Sequence, residues 1–148
     1  MIDGLFEEVS IGETHEASSY TVEKEEMLSF AEKYDPQPFH VNEEAAKDSI
    51  FGGLVASGLY TYGITQKMAV HNIVNGAELR GAIGIDNLRW KQPVRPEDIL
   101  SIKIEPVDKE PQSDDIGIVS MSTQTINQDN EEVFTGVMLL RYQRTGEA

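Results

Sequence analysis

The 148-residue chain contains no cysteine, which excludes a disulfide framework and any thiolate metal site. Basic residues are scarce too: 12 Lys and Arg against 26 Asp and Glu give a formal charge of −14. A surface of that sign repels a phosphate backbone, and no run of Lys or Arg offers a local exception, so nucleic acid is not an expected partner. Gly 12 and Pro 6 are too few and too scattered for a fibrous or disordered chain. No unbroken apolar run reaches membrane-spanning length, because the most apolar stretch, Leu54 to Val74, contains Gln66, Lys67 and His71. The N-terminus, MIDGLFEEV, is acidic where a secretory leader would be basic and then apolar. What these absences leave is a cytoplasmic globular protein, expected to form a single domain over residues 1–148.

What the chain does contain is a change of period. Thr14 to Val22 reads as a strand, Thr21 as a cap, and Met27, Phe30, Ala31 and Tyr34 then recur at helical spacing. Pro36 and Pro38 stop that helix and turn Asp35 to His40 into a stiff loop. Asn42 can cap a short helix over Glu43 to Asp48. From Leu54 to Val74 apolar residues occupy nearly every side, which predicts a long buried helix ended by Asn75-Gly76. Four strands follow, Ala82 to Trp90, Ile99 to Val107, Ile116 to Ile126 and Val133 to Tyr142, with period-two pairs at Ile102/Ile104 and Val119/Met121 and a turn at Gln128 to Glu131. One apolar helix followed by antiparallel strands implies an α+β hot-dog fold, a curved sheet wrapped around a central helix. Open strand edges in such a fold predict a homodimer or a dimer of dimers.

The three histidines, His15, His40 and His71, are 25 and 31 positions apart, a spacing that fits no metal site. His71, late on the long helix, reads as a dipole or packing residue. His40 differs because it shares with Asp35 a loop held by two prolines, and positioned acid/base groups suit catalysis. An acidic residue between a helix and a proline is also an ordinary turn former, so spacing alone leaves both readings open.

The motif Asp35-x-x-Pro38-x-His40, followed after eleven residues by Gly52-Gly53-Leu54-Val55-Ala56-Ser57, resembles the signature of MaoC-like (R)-specific enoyl-CoA hydratases. Downstream, Trp90-Lys91-Gln92-Pro93-Val94 leading to Asp98 is similar to the F-x-x-P-V-x-x-G-D region of that family. The similarity runs from about Thr21 to Tyr142. By matching positions, the resemblance implies that Asp35 and His40 are the catalytic pair, that Ser57 supports the acid, and that Gly53 supplies an oxyanion-binding amide at the start of the long helix. Gln37 and Tyr34, beside the pair, fall among the substrate-binding positions. Departures are Gln37 for the usual Asn, Tyr34 for a glycine, Gly52 for a histidine, and Pro96-Glu97 for a glycine turn. These affect substrate identity and loop shape more than reaction type.

The implied activity is a lyase that reversibly hydrates a 2-enoyl thioester in fatty acid metabolism, with no metal and no cofactor beyond the coenzyme A of its substrate. Arg80, Arg89, Lys91 and Arg95 are the candidates to meet coenzyme A phosphates in an acidic protein. Acyl-carrier protein, itself acidic, is the less attractive donor. Two alternatives remain: a hot-dog acyl-CoA thioesterase, and a non-catalytic acyl-thioester-binding module that keeps the loop for its shape.

Overall fold

A computed structural model describes residues 2–146, so residues 1, 147 and 148 of the expected domain lie outside the described residues. After a 3-10 turn at Phe6–Glu8, the described residues form five strands and four α-helices in the order β1 (His15–Thr21), α1 (Lys24–Tyr34), α2 (Pro38–Val41), α3 (Glu43–Lys47), α4 (Gly58–Asn72), β2 (Leu79–Arg89), β3 (Ile99–Pro111), β4 (Ile116–Ile126) and β5 (Glu132–Gln143). The strands form one antiparallel sheet ordered β1-β3-β4-β5-β2. This is the hot-dog architecture.

Alternation fixes which face of the sheet is inside. Along β4 every second residue, from Gly117 to Thr125, is buried, and β3 does the same with Leu100, Ile102 and Ile104. These side chains meet Tyr60, Ile64, Met68 and Ala69 of α4 in the core. The helix is shorter and more one-sided than its composition predicts. It has 15 residues, about 22 Å at 1.5 Å per residue, and Leu59 and Val70 are 50% and 40% exposed on its outer side. The sheet therefore covers one face of α4, and the expectation of a helix buried all round is corrected.

Other boundaries shift for local reasons. Thr21 remains in the ladder opposite Ile99, so α1 starts later, after Glu23, without a side-chain cap. Pro38 takes the first position of α2, where its missing N–H costs nothing. The expected loop is thus reduced to residues 35–37, and His40 sits on a helical turn. Asn42 does cap α3, its Oδ1 accepting from the Ala45 N–H at 2.9 Å.

The Pro96-Glu97 departure keeps the shape of a glycine turn. The Asp98 N–H donates to the Arg95 carbonyl at 3.1 Å, and Glu97 has φ 73°, the pattern of a type II turn with proline at its second position. A side chain in the left-handed region is strained, so Glu97→Gly is expected to stabilise the fold by roughly 0.5–1 kcal/mol. A urea midpoint that stays put or falls would show that the Glu97 side chain is worth more than the strain.

Candidate active site

The short segment between α1 and α2 brings the acid and the imidazole together. Asp35 ends α1, its N–H still bonded to the Ala31 carbonyl at 2.8 Å, and Pro36 prevents another turn. One turn later, α2 presents His40 from a buried position. His40 Nδ1 lies 2.8 Å from the Val55 carbonyl. A carbonyl only accepts, so Nδ1 carries the hydrogen and Nε2 is the nitrogen turned toward Asp35. Nε2 and Asp35 Oδ2 are 3.4 Å apart.

Two further donors hold the carboxylate. The Ser57 hydroxyl donates to Oδ2 at 2.7 Å, and the Gln37 side-chain amide donates to Oδ1 at 2.8 Å. The Ser57 bond is the largest influence on Asp35, holding its carboxyl below the usual aspartate range against the opposing effect of partial burial, with Gln37 and His40 assisting. The acid is therefore a carboxylate at neutral pH. Ser57 is fully buried and has a second task as N-cap of α4, accepting from the Leu59 N–H at 3.2 Å. One hydroxyl thus ties the helix start to the carboxylate.

Asp35, Gln37 and His40 line a cavity of about 390 Å³ whose walls include Phe39, Phe51, Val55, Leu59 and Trp90. The size and the apolar walls with a few convergent polar groups suit a small organic ligand. Its floor includes Gly58, the first residue of α4. The Leu59, Tyr60 and Thr61 N–H groups are taken by Ser57, whereas that of Gly58 is left without an acceptor among the described residues. A free amide at the positive end of a helix dipole is a ready acceptor site for negative charge.

The expectation that the long helix begins at Gly53 is corrected. Residues 53–57 do not begin the helix: the Val55 N–H donates to Phe39 O and the Ala56 N–H to Val94 O, which keeps the segment extended. Gly53 lies outside the cavity lining, beside the Arg95 guanidinium. The other expected residues divide. Lys91 lines the cavity and forms a 3.6 Å ion pair with Glu132. Arg95 is turned to the Phe51 carbonyl at 2.7 Å, and Arg89 donates to its neighbour Leu88 O. Arg80, paired with Glu78, is nine residues before Arg89 on β2, about 30 Å away along an extended strand. Tyr34 is 60% exposed and packs on Phe30, away from the lining. Sequence reasoning missed Gly58 and the aromatic wall; the sole tryptophan, next to Lys91-Gln92-Pro93, was the available signal for the wall.

His15 and His71 do not reach the cavity. Among the described residues no three His, Asp or Glu side chains are grouped to hold a metal. No helix among them is long and apolar enough to cross a membrane.

A family model described as "MaoC like domain" matches residues 7–128. The chain belongs to that family. The solved MaoC-like dehydratase of Rhodospirillum rubrum has a TM-score of 0.85 and 34% identity, with 95% of this chain and 97% of that one covered. A Bacillus subtilis (strain 168) protein called "Uncharacterized protein YdeM" is 31% identical over 93% of this chain and 98% of its own length. The 3-hydroxybutyryl-CoA dehydratase of Methylorubrum extorquens is 32% identical over 68% of this chain and 62% of its own length. Membership in the MaoC-like family agrees with the fold and with the motif at Asp35 to His40.

Proposed function

We propose that this MaoC-like chain is a hydratase/dehydratase that adds water to, or removes it from, a 2-enoyl-CoA. The observation that carries the reading is the pair of acceptors, Asp35 Oδ2 and His40 Nε2, 3.4 Å apart on one cavity wall. A water that bridges both from the cavity side donates one O–H to each and keeps its lone pairs for Cβ. As the C–O bond forms, an O–H bond breaks and its proton passes to Nε2, since a carboxylate held below its usual pKa is the weaker base. The π electrons move to the thioester oxygen, which the Gly58 N–H receives. The Nε2 proton then forms the new C–H bond at Cα, and Asp35 ends as it began, a carboxylate beside a neutral imidazole. No metal or redox group enters this cycle. Coenzyme A takes part only as the carrier of the acyl group, with Lys91 the basic residue nearest the site.

The test is to mix purified protein with short and medium 2-enoyl-CoAs, following the conjugated-enoyl absorbance and free thiol together. Absorbance loss without thiol is expected. Thiol release would identify a thioesterase acting at the carbonyl, and no change with any chain length would count against turnover of these substrates and for a binding module or another substrate.

The active form is proposed to be a homodimer or a dimer of dimers. β1 and β2 are the unpaired sheet edges, β2 carries Ile83 at 45% exposure, and the outer side of α4 is open at Leu59 and Val70. Sedimentation at micromolar concentration is expected to give twice or four times the monomer mass. A compact folded monomer would contradict it.

A further inference from the structure

Trp90 is the only tryptophan, and it stands at the cavity wall just beyond β2. Its indole lies against Gly58, so close that a Cβ on Gly58 would fall 2.3 Å from the ring. The ring Nε1–H donates to the Gly58 carbonyl at 2.9 Å. That carbonyl belongs to the same peptide group as the Leu59 N–H, which donates to Ser57 Oγ at 3.2 Å. The Ser57 hydroxyl in turn donates to Asp35 Oδ2 at 2.7 Å. Every donor in the series points the same way, from the indole toward the carboxylate.

We propose that Trp90 is a positioning residue that acts on Asp35 through this relay, Trp90 to the 58–59 peptide to Ser57 to Asp35. A hydrogen bond to an amide carbonyl makes the amide N–H a better donor, and a hydroxyl that accepts a stronger bond donates a stronger one in turn. The indole therefore does two things at once. It fixes the first turn of α4, which carries the Gly58 amide, and it strengthens the bond that keeps Asp35 ionised and aimed at the water. As regards turnover, the inference rests on the hydratase reading; as regards Asp35, it does not.

The cleanest variant replaces the sole tryptophan by its isosteric benzothiophene analogue, which keeps the shape and loses only the N–H. Trp90→Phe is the genetic counterpart. The 13C resonance of the Asp35 carboxyl is followed against pH in wild type, both replacements and Ser57→Ala, with kcat and KM measured beside it. Ser57→Ala removes the last bond of the relay and sets the largest upward displacement of the Asp35 midpoint. Losing the indole donor is expected to raise that midpoint by a smaller amount, roughly 0.1–0.7 pH unit, for a 10–30% weakening of a charge-assisted bond. The expected fall in kcat is about twofold to tenfold, with a smaller change in KM. An Asp35 midpoint equal to wild type in the benzothiophene protein, or a loss seen only in KM, would overturn the relay and leave Trp90 as cavity wall alone. The carboxyl titration needs no substrate, so it decides the relay even if no enoyl thioester is turned over and the hydratase reading fails.

Discussion

Asp35→Asn and His40→Ala are each expected to lower kcat by about 10²–10⁴, the usual worth of a general acid/base group. The double variant is expected to be little slower than the poorer single, because residues serving one proton circuit are strongly non-additive. Asp35→Asn keeps the size and the Ser57 contact but removes the negative charge that orients water and steadies the imidazolium. His40→Ala removes the nitrogen that takes and returns the proton. The midpoint of thermal unfolding of Asp35→Asn is expected to move far less than its turnover, since Asp35 is only partly buried. His40→Ala, by contrast, empties a buried position and frees the Val55 carbonyl, so its rate is measured well below its own midpoint. Singles that each retain near-wild-type rates, or losses that track unfolding, would reduce the pair to a structural element of the turn.

The second large effect belongs to Gly58. Proline is tolerated at the first position of a helix, so Gly58→Pro deletes the free amide while α4 can still begin there. Either substitution at this position introduces a Cβ that meets the Trp90 ring, so Gly58→Ala, which keeps the N–H, is the necessary reference. Relative to Gly58→Ala, Gly58→Pro is expected to lose a further 10²–10³ or so in kcat, the usual cost of one oxyanion donor. Steady-state rates for the pair, with circular dichroism to verify folding, decide it. Equal rates in the two variants would take the Gly58 amide out of the mechanism.

Much of this was legible from residues alone. Ile102/Ile104 and Val119/Met121 disclose a strand's buried face because side chains alternate with strict period two, and the observed sheet keeps that alternation. The Asn42 cap was legible because its chemistry is local. The start of the long helix was not. Leu54-Val55-Ala56 is a short apolar run, and such a run reads the same whether it is buried as helix or as extended chain. What decides it is tertiary: carbonyls of Phe39 and Val94 take the Val55 and Ala56 amides. That displacement of five residues leaves Gly53 in extended chain and puts Gly58 at the helix start, a boundary that Ser57, a preferred cap residue, marked. The basic residues divide for a similar reason. Charge and proximity in sequence put Arg80, Arg89, Lys91 and Arg95 in one group, but strand length carries Arg80 away and the Phe51 carbonyl claims Arg95.

The central claim, that Asp35 and His40 move the elements of one water across a conjugated thioester, is tested most directly by product analysis in D₂O. Wild-type protein incubated with a 2-enoyl-CoA is expected to yield intact 3-hydroxyacyl-CoA carrying one deuterium at Cα, and Asp35→Asn is expected to leave the enoyl-CoA unchanged on the same timescale. Free coenzyme A in place of the hydroxyacyl product, or the same labelled product formed equally fast by Asp35→Asn, would contradict it.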